Sequence, residues 1–284
     1  MISHLRIIIL LLFLFSIGGC TRLVVASLMQ PTIDNLQQQT DLDLVCEGTP
    51  SFLLMIDSML ASNPDDESLL LTATKAFTAY AATLDACGRP ERAIVVSEKA
   101  KKYGLAFLSQ NSNHSFTPVM PFPDLQQTLA AMDKDDAPAL FWAGNGWATW
   151  IRYQGGSPAS MAQLVRVEQM MLRLVELDET YYHGGAHIFL GVYFGSKPPL
   201  LGGKPDQSRA HFEKALVIGN REFLPTLVAY AETYAKMTYD RDLFEQLLQE
   251  VATFPVDKRQ DIALVNQVAK RRAVKLLDQV DQFF

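Results

Sequence analysis

Residues 180–203, TYYHGGAHIFLGVYFGSKPPLLGG, gather Tyr181, Tyr182, His183, His187, Phe189, Tyr193 and Phe194 ahead of a Pro/Gly loop that carries Lys197. His183 and His187 stand four apart, which on a helix puts both imidazoles on one face at a spacing compatible with a metal. A zinc hydrolase of the His-Glu-x-x-His kind also needs a glutamate after the first histidine, and Gly184 stands there. No third ligand is evident nearby. The pair therefore reads as packed or ligand-facing, and no metal is expected. There is no G-x-S-x-G, no phosphate-binding glycine loop and no Cys/His nucleophile arrangement, so neither a catalytic residue nor a cofactor is expected. What remains is recognition chemistry. Trp142, Trp147 and Trp150 precede the block, and Trp and Tyr offer an apolar body with a polar tip, suited to a pocket that is both wet and apolar. The competing use of such rings is core packing. Lys197, beside Pro198 and Pro199, could meet a carboxylate or stand solvated.

The elements that would position these residues read as helices almost throughout. Thr49-Pro50 opens a helix bearing Leu53, Leu54, Ile56, Met59 and Leu60, and Asn63-Pro64 opens the next, with Asp65, Asp66 and Glu67 favourable to its dipole. Gly88 ends that helix. Pro90 starts another that closes at Gly104. After a Ser/Asn/Pro-rich linker over residues 111–123, helices are expected over 124–132, 138–153 and 158–177. Further helices are expected over 181–194, 205–218, 223–239, 242–254 and 259–284. Repeated hairpins of this length predict an all-α fold, an α-solenoid of degenerate tetratricopeptide-like repeats. The third hairpin fits best: Leu190, Gly191 and Phe194 match one helix of the repeat, and Ser208, Phe212 and Ala215 match the other. Stacked hairpins would bring the rings together on or near one concave surface.

At the N-terminus, Arg6 precedes an apolar run from Ile7 to Phe15 and a Ser16-Ile-Gly-Gly-Cys20 ending. The run is too short for a stable membrane span and suits a removable signal, while the small residues before Cys20 suit lipid attachment at its thiol. The expected organisation is a lipoprotein signal peptide over 1–19, a lipid-anchored segment over 20–48 and a helical domain over 49–284. No later run is read as reaching membrane-spanning length. The formal net charge of −6 offers no basic face for nucleic acid. Cys46 and Cys87 could pair in an oxidising compartment or stand as two buried thiols, and their spacing leaves this open.

Several blocks carry a family resemblance. They include Pro50-Ser-Phe-Leu-Leu, Asn63-Pro-Asp-Asp, Ala139-Leu-Phe-Trp-Ala-Gly, Leu177-Asp-Glu-Thr-Tyr-Tyr-His-Gly-Gly-Ala-His, Leu190-Gly-Val-Tyr-Phe-Gly-Ser-Lys-Pro-Pro-Leu-Leu-Gly-Gly and Ala210-His-Phe-Glu-Lys-Ala-Leu. Over roughly residues 40–255 the chain resembles the T component associated with TRAP transporters. The resemblance implies a periplasmic lipoprotein of Gram-negative bacteria, built of helical hairpins and non-enzymatic. It implies pairing with a TRAP-type substrate-binding protein, handling of apolar, carboxylate-bearing ligands, and assembly as a homotrimer. Ligand-lining roles fall on Trp142, Trp147, Trp150, Tyr181, Tyr182, His183, His187, Tyr193, Phe194 and Lys197. Thr21, where an aspartate would favour the inner membrane, leans the anchor outward. The alternative function is an envelope-assembly scaffold that binds protein partners only.

Overall fold

The structure is a computed structural model that describes residues 32–33, 35–111 and 114–284, apart from the side chain of Leu201. The signal region and Cys20 lie outside the described residues. Among the described residues every regular element is helical, so the fold is all-α.

Helix α1 (Leu42–Ser62) starts earlier than its Thr49-Pro50 signal suggests, because the Asp41 carboxylate accepts from the backbone amides of Asp43 and Leu44 and caps it there. Pro50 therefore sits inside the helix and frees the carbonyl of Cys46, four residues back. The Tyr80 hydroxyl reaches that carbonyl at 3.5 Å, partly replacing the lost bond. By length and composition α1 is apolar enough to cross a membrane. Here Val45, Leu53, Ile56 and Leu60 bury its inner stripe against protein instead. Helix α2 (Glu67–Thr83) begins at Asp66, whose carboxylate caps Leu69.

Helix α3 (Ala93–Asn111) runs through Gly104 rather than stopping there. A Cβ at Gly104 would stand 3.1 Å from both the Ala143 Cα and the Trp142 carbonyl oxygen. Gly104 is thus a contact residue that lets α3 lie close against α5 (Ala137–Tyr153), which carries the three tryptophans. Between them come a short α4 (Phe122–Ala131) and an Asp133/Asp136 capping box. After α5, Pro158–Met161 forms a single turn, and α6 (Leu164–Asp178) follows separately instead of as one continuous helix.

Helix α7 (Tyr181–Gly195) and α8 (Pro205–Ile218) pair closely. α9 (Leu224–Tyr230) continues into a π-helical turn, Ala231–Ala235, that packs on α7. α10 (Arg241–Thr253) and α11 (Ala263–Leu277) close the chain, with a last turn, Val280–Phe283. Buried apolar side chains form one core from Leu53 to Phe194 and a second from Phe212 to Leu276. The aromatic block of α7 lies where they meet. Cys46 and Cys87 are joined by a disulfide, which resolves the open question of their pairing.

Candidate functional site

The first residues of α7 are not helical in the ordinary sense. Tyr182, His183 and Gly184 all adopt positive φ, at 47°, 58° and 73°. Left-handed backbone is easy for glycine and costly for the two residues before it, roughly 1–2 kcal/mol each. Three such residues in series reverse the side-chain directions that a regular helix would give. His183 and His187 therefore do not share a face, contrary to the i, i+4 expectation. Among the described residues no group of three His, Cys, Asp or Glu could hold a metal ion.

The turn throws Tyr182 onto the tryptophan helix. Its ring centroid is 4.8 Å from that of Trp142, edge-on, and 5.0 Å from Phe141. Tyr181 packs on Phe141 at 5.4 Å, and its hydroxyl accepts from Trp142 Nε1 at 3.2 Å. His183 stacks on Phe223 at 4.6 Å and 14°, and Phe223 also meets Tyr182. A continuous run of rings thus passes from Trp142 through Tyr182 and His183 to Phe223. Tyr182 remains 39% exposed. The apolar rings around it nonetheless push its phenol up to about 12, so its hydroxyl stays a donor. Burial also lowers His183, helped by Arg259 and opposed by Asp261. Lys75 of α2 completes the cluster, its ammonium 5.3 Å above the Trp142 ring.

Farther along α7, His187 is 1% exposed and both its ring nitrogens are engaged. Nε2 lies 3.1 Å from the Glu179 carboxylate, and Nδ1 lies 2.8 Å from Nδ1 of His211 on α8. A carboxylate only accepts, so His187 carries its proton on Nε2 and accepts on Nδ1 from His211. Lys214 shares Glu179 at 3.1 Å. The bonds from His187 and Lys214 hold Glu179 below the usual carboxylate range. Burial, and then His187, push His211 down to about 4. Burial likewise lowers His187, against the pull of Glu179. At neutral pH the pair is an uncharged, tautomerically fixed bond tying α7 to α8.

The other sequence-expected residues separate by burial. Trp147 is 1% exposed and donates from Nε1 to Gln163 at 2.9 Å; Phe194, behind His211, is also buried. Trp150 is half-buried beneath Lys101, whose ammonium sits 3.6 Å from its ring centroid and also donates to Gln163. Tyr193 donates to Glu168 at 2.9 Å. Lys197 lies in the exposed stretch 196–200. Lys75, Phe141, Phe223, Glu179 and His211 also belong to these clusters; Phe141, Glu179 and His211 lie in the blocks that carry the family resemblance, while Lys75 and Phe223 carry no local motif. For those two, helical periodicity is the one local signal.

The arrangement presents aromatic faces, a donor hydroxyl and an ammonium, with no nucleophile paired to a base. Its chemistry is that of recognition. No curated protein matches the chain. The family model of the TRAP transporter T-component matches residues 38–284, which include every element described above from α1 onward. The chain belongs to the TRAP transporter T-component family, whose members are accessory components of these transporters.

Proposed function

We propose that this accessory component binds an apolar, carboxylate-bearing ligand at the Trp142–Tyr182 cluster and docks a TRAP-type substrate-binding protein. The carrying observation is Tyr182. It is a tyrosine 39% exposed and held on Trp142 by consecutive left-handed residues. Strained backbone of this kind concentrates at functional sites, where it fixes side-chain direction. Tyr181 and His183 flank the cluster as half-buried rings, Trp150 lies farther along α5 under Lys101, and Tyr193 and Lys197 lie farther along the aromatic segment. The protein acts in the periplasm as a lipoprotein, with residues 1–19 removed, Cys20 acylated and the segment after it as tether to a helical domain that begins with α1 at Leu42, not at residue 49. Its membrane is the outer one. Its hairpins stack in tetratricopeptide-like fashion, supported by Phe212 lying against Gly191 and by the Ser208 hydroxyl donating to the Gly191 carbonyl at 2.7 Å. Three copies assemble, as in the family.

The test compares Tyr182→Ala with wild type. Ligand binding and uptake should fall by tenfold or more while the helical signal and thermal midpoint stay near wild type. Normal binding and uptake in a folded Tyr182→Ala protein would end the pocket reading. The burial of Trp142, Trp147 and Phe194 favours a second reading, an assembly scaffold whose rings are core. Trp147→Ala should cost roughly 3–5 kcal/mol under either reading, because that ring is core in both. The readings divide on Tyr182 and on gentle co-purification followed by mass spectrometry. A substrate-binding protein recovered with the chain supports the transport reading; envelope-assembly proteins without any small molecule support the scaffold.

A further inference from the structure

Most lysines of the described chain are matched to an acceptor. Lys99 meets Asp57, Lys214 meets Glu179, Lys258 meets Glu222, Lys275 meets Asp85 and Lys270 donates to the Phe254 carbonyl. Lys101, half-buried between two tryptophans, donates to Gln163. Lys75 differs. It is half-buried on α2, its ammonium stands 5.3 Å over Trp142, and among the described residues no carboxylate, carbonyl or amide oxygen meets it. Burial lowers its pKa and no neighbouring carboxylate draws it back. A partly desolvated ammonium set on an aromatic face gains something from the ring, but its donors are left to water and not to a protein acceptor. Such a group is stabilised by an anion that brings its own acceptors into the same apolar setting.

We propose that Lys75 reads the anionic end of the ligand, with the apolar remainder lying on the open ring of Tyr182 across Trp142. This rests on the aromatic-cluster reading of the function. The ligand class follows from the donors. A single ammonium on the Trp142 ring supplies donors and no acceptor, and the side chains of Phe141 and Tyr182 packed on that indole are rings. That suits a monocarboxylate on an apolar chain or ring, since a second charge would meet no second cation at Trp142. Lys197, the lysine that the sequence places nearest the ring block, lies on the exposed 196–200 stretch and makes no ring contact among the described residues. Lys75 comes from a helix remote in sequence and reaches the cluster only through the packing of α2 on α5.

The experiment titrates the full chain with two probes of equal length, decanoate and decanol, following tryptophan fluorescence and checking by calorimetry. Wild type should prefer decanoate by about tenfold or more, the range expected when a hydrogen bond to a charged group is gained. Lys75→Met should bind both probes alike, at the wild-type affinity for decanol. Lys75→Arg should keep the preference, and Lys197→Met should leave it untouched. Lys75→Gln gives the same comparison with a polar, uncharged side chain should the methionine variant fold poorly. If Lys75→Met or Lys75→Gln keeps the full preference for decanoate, Lys75 does not read the anion, while the aromatic site stands. If wild type binds neither probe saturably, the aromatic site itself is lost and the role of Lys75 with it.

Discussion

At the residue scale, the clearest prediction comes from the histidine pair. His187 and His211 share one proton between two Nδ1 atoms 2.8 Å apart. Protonating both would set two N–H groups head to head. The groups facing them are Glu179 and Lys214, the carboxylate favouring charge on His187 and the ammonium opposing it on both rings. The folded pKa of His211, about 4, lies below its unfolded value of 6.5, so the unfolded chain binds more protons between those values. Stability is therefore complete above about pH 6.5 and declines as pH falls towards 4. Glu179, whose pKa is also lowered, extends the decline on the acid side. Thermal midpoints measured from pH 7.5 to 4.5 should show this fall in wild type. In His211→Asn, whose amide can still donate to His187 but does not titrate, the fall should be shallower. If the two profiles run parallel, the pair does not govern acid stability.

At the scale of the element, the decisive feature is how α7 begins. Gly184 has φ +73°, and a Cβ there would also stand 3.1 Å from the Ile218 Cδ1. Gly184→Ala should lose roughly 1–2 kcal/mol from backbone strain alone. If the turn yields to a regular helix instead, Tyr182 must leave Trp142, and the 4.8 Å ring contact goes with it. Urea unfolding reads the first effect and near-ultraviolet circular dichroism the second; a variant wild-type in both would show that the left-handed turn is not held by Gly184. The same turn marks where the sequence stops being readable. Apolar periodicity gives the helices, and Pro138, Pro158 and Pro205 place three starts within a residue or two. Pro50 misleads because Asp41 offers an earlier cap and Tyr80 repairs the carbonyl that proline frees. Gly104 misleads because its role is contact across helices, which no local window contains. The ring block is legible as a block. That Tyr182 turns outward while Trp147 is sealed depends on three backbone angles and on partners such as Phe223 and Lys75, set by tertiary packing.

At the scale of the whole molecule, the two ends of the fold meet at residues 84–88, the turn after α2. Cys87 is bonded there to Cys46 of α1, and Asp85 receives Arg272 and Lys275 of α11 while Arg271 donates to the Ala86 carbonyl. The covalent and ionic ties differ greatly in weight. The disulfide joins residues 41 apart, and loop-closure entropy for such a ring is worth about 4 kcal/mol at room temperature. The ion pairs at Asp85 are 3.3–3.4 Å long, between an exposed carboxylate, an exposed Lys275 and a partly exposed Arg272, a class that contributes under about 1 kcal/mol. Replacing both cysteines by serine should therefore lower unfolding free energy by about 3–4 kcal/mol, whereas Asp85→Ala should cost less than about 1 kcal/mol. Because α11 returns to the same turn, loosening it should also raise hydrogen exchange along residues 263–277, far from either cysteine in sequence. A double-serine protein as stable as wild type, or an Asp85→Ala protein that loses more than it, would mean that the ionic clasp, and not the disulfide, holds the two ends together.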